Sequence, residues 1–548
     1  MNLAGLLPLL QETPAFRQLV DAIRQGSPEE ALGVRGTEAL GVIQAARPYL
    51  LAALYQQLGR PIILLTARAE RVGYWTEQLR VWAGSSAILP FPEPDPLPYE
   101  RVPWTRETVT DRLTALTALL KWKQAQVGPP PLVVASARAL MHKTLPVREF
   151  RLGMREYRLE QEVDLKRLLG SWVAHGYRPD TVVEEPGTFS RRGGLIDVFP
   201  PNLLESESTG RRLLQPVRIE LFGDEIDSLR VFDPTTQRSS QRINGFALAP
   251  ATEALPRLAP LASQRCANLD LTPCHPPARM EYQEDLANLE QGTVFRGIEF
   301  YLPFFYSHPA TLLDYMPAGS LCLVDDWDAL MATVMDVDRQ ARTLQTDLVK
   351  AGELPENFAQ PHFVWEELRA AIQDKKPLVL GGRTSQGQSG PMSGLFAHGE
   401  RYGGQLKRVL DGCQEIRDAG QRAVLVSRQA QRISELLADR AITALPREDV
   451  TDVPPSRSLT LVQGTLAEGW VLQDAMAGDT SPDAPSPHLA PSAGSASTSP
   501  LLHLLTDAEV FGWARPAPRR ARRPRPVAPE TFFADVQPGS YVVHVEHG

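Results

Sequence analysis

The chain has 548 residues, of which 43% are hydrophobic and 22% charged, a composition that is ordinary for a globular protein of roughly three to four domains. Its formal net charge of -8 argues against a protein that coats nucleic acid, so any such contact must be local. Four scattered cysteines without a CxxC pair exclude a disulfide framework and indicate neither a zinc site nor a redox site. No apolar run approaches the roughly 18 residues of a membrane span and the N-terminus lacks a basic signal segment, so we expect a cytoplasmic protein.

Residues 1–145 alternate between strand and helix patterns. Continuous apolar runs predict buried strands at 61–67 and 87–93, and the stretch 131–140 predicts a third strand that enters a helix. Segments 68–82 and 106–124 between them have apolar residues at helical spacing. This alternation predicts a parallel sheet of the kind that binds nucleotides.

A nucleotide-binding sheet would carry the phosphate loop GxxxxGK[ST], and the stretch that comes nearest runs from Gly41 to Pro48. Ala46 replaces the second glycine, Arg47 the lysine and Pro48 the hydroxyl. Proline has no oxygen for magnesium, and a side chain at Ala46 hinders close approach of the backbone to phosphate. We interpret the stretch as a degenerate nucleotide loop, and a structural strand-to-helix turn is favoured over nucleotide hydrolysis.

Residues 146–240 read as an α+β domain with one helix, at 164–177, against an antiparallel sheet. Short apolar runs around Gly193-Gly194 predict a hairpin, and the adjacent Arg191 and Arg192 place cations at its tip. Arg178 follows the helix. A hairpin tip that carries cations is a poor core element, so we predict a docking surface here.

Residues 241–375 return to mixed structure, with a strand at 321–326 that ends in Asp325 and Asp326. In an ATPase, acids at such a position hold Mg²⁺ and polarise water. The signal is weak alone, because acids commonly end buried strands. Together with the degenerate loop we interpret it as a second remnant of one lost site.

Residues 376–512 form a further small α/β unit, interrupted by a segment rich in Pro, Ser, Ala and Gly at 473–500 that we predict to be disordered. A basic linker follows at 513–530. Its arginines suit contact with DNA phosphates or an acidic partner, although a solvated, self-repelling spacer is favoured. Its most closely clustered arginines are Arg519, Arg520, Arg522 and Arg523.

The last residues, 531–548, begin a β-rich module. A single strand cannot bury itself, so we expect this to be the truncated start of a longer unit. His544 and His547 lie three residues apart, but extended geometry does not bring them together, and structural histidines are favoured over a metal site.

Several segments resemble the N-terminal part of the bacterial transcription-repair coupling factor family (Mfd). They lie in the order of the family and cover nearly the whole chain: LPFPEPDPLPYERVPWTRETVTDRL, PGTFSRRGGLIDVFPPN, PVRIELFGDEIDSLRVFDPTTQRS, GIEFYLPFF, VQGTLAEGW, TDAEVFG and PGSYVVHVEHG. The first 375 residues are also similar to the excision-repair subunit UvrB, which keeps a working phosphate loop.

The resemblance implies an α/β multidomain architecture. Residues 1–145 and 241–375 would be two halves of a UvrB-like module with a degenerate NTPase fold, and 146–240 the inserted domain that docks the damage-recognition protein UvrA. Residues 376–512 would be a small third domain, and 531–548 the start of a CarD-like module that binds the RNA polymerase β subunit.

The resemblance also places Arg192 at a position that carries the UvrA contact, with Arg178 near a second one. A further hairpin arginine of UvrB falls at Ser190, with Arg191 one residue along. We therefore predict Arg178, Arg191 and Arg192 as the UvrA-binding residues.

The implied function is an adaptor in transcription-coupled repair, without catalytic residues, a metal site or a cofactor of its own. ATP, Mg²⁺ and double-stranded DNA would belong to the family's translocase part. Two alternatives stay open: an active UvrB-like ATPase or helicase, and a DNA-binding protein that works through the basic linker.

Overall fold

The computed structural model describes residues 1–26, 39–84, 88–126, 128–205, 212–381, 390–440, 442–473 and 500–512. The helices are α1 (Leu7–Gln11), α2 (Pro14–Gln25), α3 (Arg47–Leu58), α4 (Ala69–Ala83), α5 (Arg106–Ala125), α6 (Ala137–Met141), α7 (Val147–Gly153), α8 (Leu165–Ala174), α9 (Ala259–Cys266), α10 (Pro276–Glu290), α11 (Leu302–Phe305), α12 (Trp327–Ala351), α13 (Trp365–Asp374), α14 (Leu406–Asp418), α15 (Ala430–Ala438) and α16 (Asp507–Phe511). Among these described helices, none combines the length and apolar character of a membrane span.

The strands of the described residues are short and fall into five sheets. They are β1 (Ile62–Thr66), β2 (Ile88–Phe91), β3 (Leu132–Ser136), β4 (Arg155–Arg158), β5 (Arg178–Pro179), β6 (Thr188–Arg192), β7 (Leu195–Val198), β8 (Leu204–Glu205), β9 (Arg212–Leu213), β10 (Val217–Phe222), β11 (Glu225–Phe232), β12 (Ser239–Arg242), β13 (Gly245–Leu248), β14 (Leu321–Asp326), β15 (Leu378–Gly381), β16 (Phe396–Ala397), β17 (Ala423–Ser427), β18 (Pro446–Arg447), β19 (Leu459–Gln463), β20 (Trp470–Gln473) and β21 (Pro500–Thr506).

The first sheet has the order β15-β14-β1-β3-β2, and each of its strand pairs is parallel. Its strands are buried on both faces: Ile63 and Leu65 pack into one core, whereas Ile62 and Leu64 pack into another. This two-sided burial explains why the strands read as unbroken apolar runs. The predicted parallel sheet is confirmed.

One strand lies in a different sheet from the one that we predicted. The run at 378–381 was assigned to the small unit 376–512, but β15 pairs in parallel with β14, with Leu378 opposite Leu323. A four-residue apolar strand carries no local signal for its neighbour, since either sheet would bury it. The first sheet therefore continues past the predicted boundary at residue 375.

The inserted domain is a six-stranded sheet in the order β12-β11-β10-β7-β6-β5, antiparallel throughout except for the β5–β6 pair. Leu168 and Trp172 of α8 pack on its inner face against Ile196, Val198 and Ile219. The prediction was one helix against an antiparallel sheet, and α8 does pack on such a sheet. The structure differs in the parallel β5–β6 pair and in the additional helix α7. The predicted boundary at 240 falls inside β12, and the chain then returns through β13, which pairs with β4.

The C-terminal sheet has the order β16-β20-β21-β17-β19-β18 and shares a core with the first unit. The Trp470 ring lies 4.5 Å from that of Tyr49 and 6.3 Å from that of Trp82, centroid to centroid. The N-terminal segment adds a backbone bond of 2.9 Å from Gly5 to Val450. Residues 474–499 of the predicted disordered segment, the basic linker and the module at 531–548 lie outside the described residues.

Candidate functional site

The degenerate loop and the acidic strand end, predicted as remnants of one site, do meet in the fold. Arg47 at the start of α3 donates from Nη1 to Asp325 Oδ1 at 2.6 Å and to the Asp325 carbonyl at 3.0 Å. Arg71 of α4 donates from Nη2 to Asp325 Oδ2 at 2.8 Å, and the Trp75 indole donates to the same oxygen at 3.1 Å. We call these four residues the Asp325 cluster.

The carboxylate of Asp325 is neutralised within the Asp325 cluster by two guanidiniums, which leave the cluster with a net positive charge. The Asp325 side chain is 6% exposed and that of Arg47 is 12% exposed. Burial opposes ionisation of Asp325, but the guanidiniums of Arg71 and Arg47 outweigh it and hold its pKa below the ordinary value. Gly381 provides the space for Arg47, because a Cβ there would overlap its guanidinium.

The backbone of the degenerate loop is also occupied. The amides of Leu40 and Val42 donate to the carbonyls of Val379 and Leu380 in β15, at 2.8 and 3.1 Å. A working phosphate loop offers such amides to its ligand. Gly41 has φ +81°, and a Cβ on it would lie 3.0 Å from the amide nitrogen of Gly390, so the chain crosses closely over the loop.

Pro48 and Asp326 have structural roles. Pro48 lies in the first turn of α3, where its missing N–H costs nothing. Asp326 caps α12, since its Oδ1 accepts the amide of Ala329 at 2.9 Å. The adjacent acids Asp325 and Asp326 thus have different roles, and of the two only Asp325 belongs to the Asp325 cluster.

The predicted docking hairpin is β6 and β7 joined by Gly193-Gly194, with Arg192 opposite Leu195 and Arg191 opposite Ile196. We call residues 188–198 the cationic hairpin. Gly193 has φ +67°, which a tight two-residue turn requires. The hairpin is anchored by Phe189 and Val198 in the inserted domain's core, while both arginines are exposed.

Arg191 and Arg192 project to opposite faces of the sheet, because successive residues of a strand alternate. Arg192 donates from Nη2 to the Thr181 carbonyl at 3.1 Å, and Arg191 donates from Nε to the Gly193 carbonyl at 3.2 Å. Among the described residues, neither guanidinium forms an ion pair with a carboxylate. Both therefore retain a positive charge that a partner can meet.

Arg178 is exposed on β5, at the edge of the sheet beside Thr188. It lies near Arg106 of α5, whose pKa is lowered by partial burial and by the Arg178 charge. Arg106 itself is ion-paired with Glu185 of the inserted domain. Arg178 therefore lies where the inserted domain meets the first unit, away from the hairpin tip.

The sequence reading missed an aromatic residue beside the cationic hairpin. Phe222 ends β10 and is 81% exposed. The amide of its neighbour Leu221 donates to the Gly194 carbonyl at 2.9 Å, so the two hairpin tips adjoin. The signal was present in the sequence, since Leu221 and Phe222 are adjacent and a strand buries only one of two successive residues.

Arg218, beside the hairpin on β10, is by contrast a structural residue. It forms a bidentate pair with the buried Asp197, at 2.8 Å from Nε and 3.0 Å from Nη2. Hydrogen bonding to Asp197 raises the pKa of Arg218, so the guanidinium stays charged. Arg218 is thus satisfied within the domain, whereas Arg191 and Arg192 are not paired with a described carboxylate.

Within the described part of the chain, no group of three or more His, Cys, Asp or Glu side chains could hold a metal ion. All four cysteines are buried as free thiols. The predicted linker arginines Arg519, Arg520, Arg522 and Arg523, and His544 and His547, lie outside the described residues.

Comparison with known proteins bears directly on the inserted domain. Residues 156–253 match the model of the UvrB interaction domain, a span that contains the cationic hairpin, Arg178 and Phe222. Along the chain as a whole, the sequence is 29% identical to the transcription-repair-coupling factor of Myxococcus xanthus over 97% of this chain. The resemblance to transcription-repair-coupling factors is confirmed.

Two further relatives with the same description give the same coverage. The Bacillus subtilis protein is 23% identical over 98% of this chain, and the Staphylococcus aureus (strain MRSA252) protein is 21% identical over 99%. The chain spans 43% of the length of each of these three relatives. This share agrees with a resemblance to one portion of a coupling factor.

Proposed function

We propose that this chain recruits UvrA through its inserted domain, as the adaptor portion of a transcription-repair coupling factor. The observation that carries the proposal is the cationic hairpin within the span that matches the UvrB interaction domain. Its two arginines are exposed, carry no carboxylate partner among the described residues, and stand on a strand pair fixed by a packed core.

The chemistry of the surface suits a protein partner with exposed carboxylates. Arginine and aromatic side chains dominate the binding energy of many protein interfaces. Arg192 would form charge-assisted hydrogen bonds, and Phe222 beside it offers apolar area that water covers at present. Arg191 projects to the opposite face of the sheet from Arg192. A partner that binds both arginines must therefore contact both faces of the hairpin tip.

The Asp325 cluster supports an adaptor over the UvrB-like ATPase. The position of the phosphate-binding lysine is taken by Arg47, which is committed to Asp325, and the loop amides of Leu40 and Val42 are bonded to β15. A nucleotide would have to break these bonds before it met any of the groups. Contacts with RNA polymerase and DNA are proposed for residues outside the described ones and for the rest of a full-length coupling factor.

Calorimetric titration of UvrA with the purified chain tests the proposal. We expect Arg192→Ala to weaken binding by ~2–4 kcal/mol, or about 30- to 700-fold, because it leaves a partner carboxylate without its cation. Unchanged affinity would remove Arg192 from the interface.

Arg167→Ala is the matched control. Arg167 lies on α8 in the same domain, is 89% exposed and is only loosely paired with Asp164 at 3.7 Å. It lies on the helix that covers the inner face of the sheet, away from the hairpin tip. The control should bind UvrA as the unaltered chain does. Equal losses in the two variants would point to a nonspecific charge effect in place of a defined site.

A further inference from the structure

A cavity of about 400 Å³ lies between α5 of the first unit and the β4–β13 pair through which the chain enters and leaves the inserted domain. Its size falls in the range of small-molecule sites, which often occur where two domains meet. It is separate from both the cationic hairpin and the Asp325 cluster, none of whose residues line it.

One face of α5 lines the cavity with both small and large side chains. The helix contributes a stripe at helical spacing: Thr114, Thr117, Ala118, Lys121, Trp122 and Ala125. The opposite side of α5 packs into the core through its leucines, so the helix cannot shift to fill the space. Across the cavity, β13 contributes Gly245 and Ala247, which are also small.

The floor and the rim of the cavity differ in chemistry. The floor is apolar and includes the buried Phe246 and Leu204. The half-buried indole of Trp122 stands at the rim with three cations and one carboxylate, namely Lys121, Arg158, Arg212 and Glu156.

Cationic side chains therefore outnumber acidic ones at the rim, although the chain as a whole has a negative net charge. Arg158 donates to Glu156 at 3.0 Å, but both side chains are more than 65% exposed, and such surface pairs are weak. Lys121 and Arg212 interact with other groups of the chain, so an anion at the rim would add to the contacts that Lys121 already makes.

We propose that this cavity binds a small planar anion, an aromatic body that carries a sulfonate, carboxylate or phosphate group. The aromatic body lies on the apolar floor against Trp122, and the anionic group meets Lys121 and Arg158 at the rim. The ligand contacts both α5 and the β4–β13 pair, so its binding stabilises the junction between the inserted domain and the first unit.

The test uses 8-anilinonaphthalene-1-sulfonate as the probe, titrated into the full chain and followed by its fluorescence. Saturable binding at one site is expected. Lys121→Glu should weaken it at least tenfold, and Ala118→Phe, which fills the cavity, should abolish it. Raising NaCl from 50 to 500 mM should weaken binding several-fold, because the rim acts by charge.

Lys123→Glu is the matched control, since Lys123 is exposed on the same helix but does not line the cavity. It should bind the probe within twofold of the unaltered chain. Probe binding that Lys121→Glu and salt leave unchanged would overturn the proposal, even if Ala118→Phe fails to fold. Displacement of the probe by adenosine 5′-monophosphate or by an aromatic carboxylate would identify which anionic group the rim prefers.

Discussion

Arginines at the end of the first sheet and arginines on the cationic hairpin have opposite surroundings. Arg47 and Arg71 converge on one buried carboxylate, that of Asp325, so both guanidiniums are ion-paired within the fold. Arg191 and Arg192 reach only backbone carbonyls and remain exposed. The same residue type therefore stabilises the chain in one region and remains available for an external partner in the other.

The difference shows how a charged strand end can become part of the core. A buried charge is tolerated only when it is paired and hydrogen-bonded. Arg47 and Arg71 satisfy Asp325 within the chain, so the fold keeps this acid buried. In the cationic hairpin, the buried Asp197 is paired with Arg218. Among the described residues, Arg191 and Arg192 have no carboxylate partner, so their charge remains for a partner protein to neutralise.

The largest expected effect comes from breaking the Asp325 cluster. Asp325→Ala leaves Arg47 and Arg71 partly buried without their counter-charge, and we expect a loss of ~3–5 kcal/mol in the free energy of unfolding. Urea unfolding followed by circular dichroism measures it. The neighbouring Asp326→Ala removes only a helix cap and should cost about 1 kcal/mol. Equal costs in the two variants would contradict a special role for the cluster.

A smaller effect is expected at Glu299, a half-buried acid that interacts with the charge of Arg178. Burial raises the pKa of Glu299 to about 7, with Glu253 adding to the shift and Arg178 opposing it. Above about pH 4.5 the unfolded state releases a proton that the folded state keeps on Glu299. The stabilising contribution of Glu299 therefore falls as pH rises from 4.5 to 7 and is lost above pH 7.

Glu299→Gln should remove this dependence. We expect the variant to exceed the unaltered chain in stability by about 1–2 kcal/mol at pH 8 and to match it near pH 4.5, because the half-buried carboxylate keeps part of its hydration. Thermal or urea unfolding of both proteins across that pH range checks the prediction. A constant difference between them at every pH would show that Glu299 does not titrate in this window.

Phe222→Ala tests whether the exposed surface near the cationic hairpin contributes to binding and not to stability. Because Phe222 is 81% exposed, the substitution should leave the free energy of unfolding unchanged. The affinity for UvrA should fall about tenfold, or ~1.4 kcal/mol, if the partner buries the aromatic ring. Calorimetry with UvrA measures the affinity. The exposed Met280 on α10 supplies a control, Met280→Ala, for loss of apolar surface elsewhere.

The smallest effect concerns the stability of the hairpin itself. Arg191→Ala combined with Arg192→Ala should change the free energy of unfolding by less than about 0.5 kcal/mol, since both side chains lie on the surface and their bonds reach only carbonyls. Urea unfolding tests this. A large loss would mean that these arginines support the fold, as Arg47 does.

Much of the local structure was predictable from periodicity. The run of apolar residues at 61–67 and the helical pattern at 106–124 correspond to β1 and α5. Gly193-Gly194 between alternating residues located the hairpin turn. The site was predictable only in part: the exposure of Phe222 and the satisfied state of Arg218 depend on register and on Asp197. Whether Arg178, Arg191 and Arg192 bind a partner stays a prediction.

By itself, the sequence determined which elements form and which chemistry is missing, because residue spacing and side-chain type act locally. Pro48 lacks a hydroxyl in any fold. Gly193-Gly194 favours a tight turn wherever the hairpin lies in the molecule. The tertiary structure alone decided that Arg47 meets an acid 278 residues away and that the strand at 378–381 completes the first sheet. Such contacts depend on which distant segments of the chain pack together after long connections. No short segment of the sequence encodes that packing.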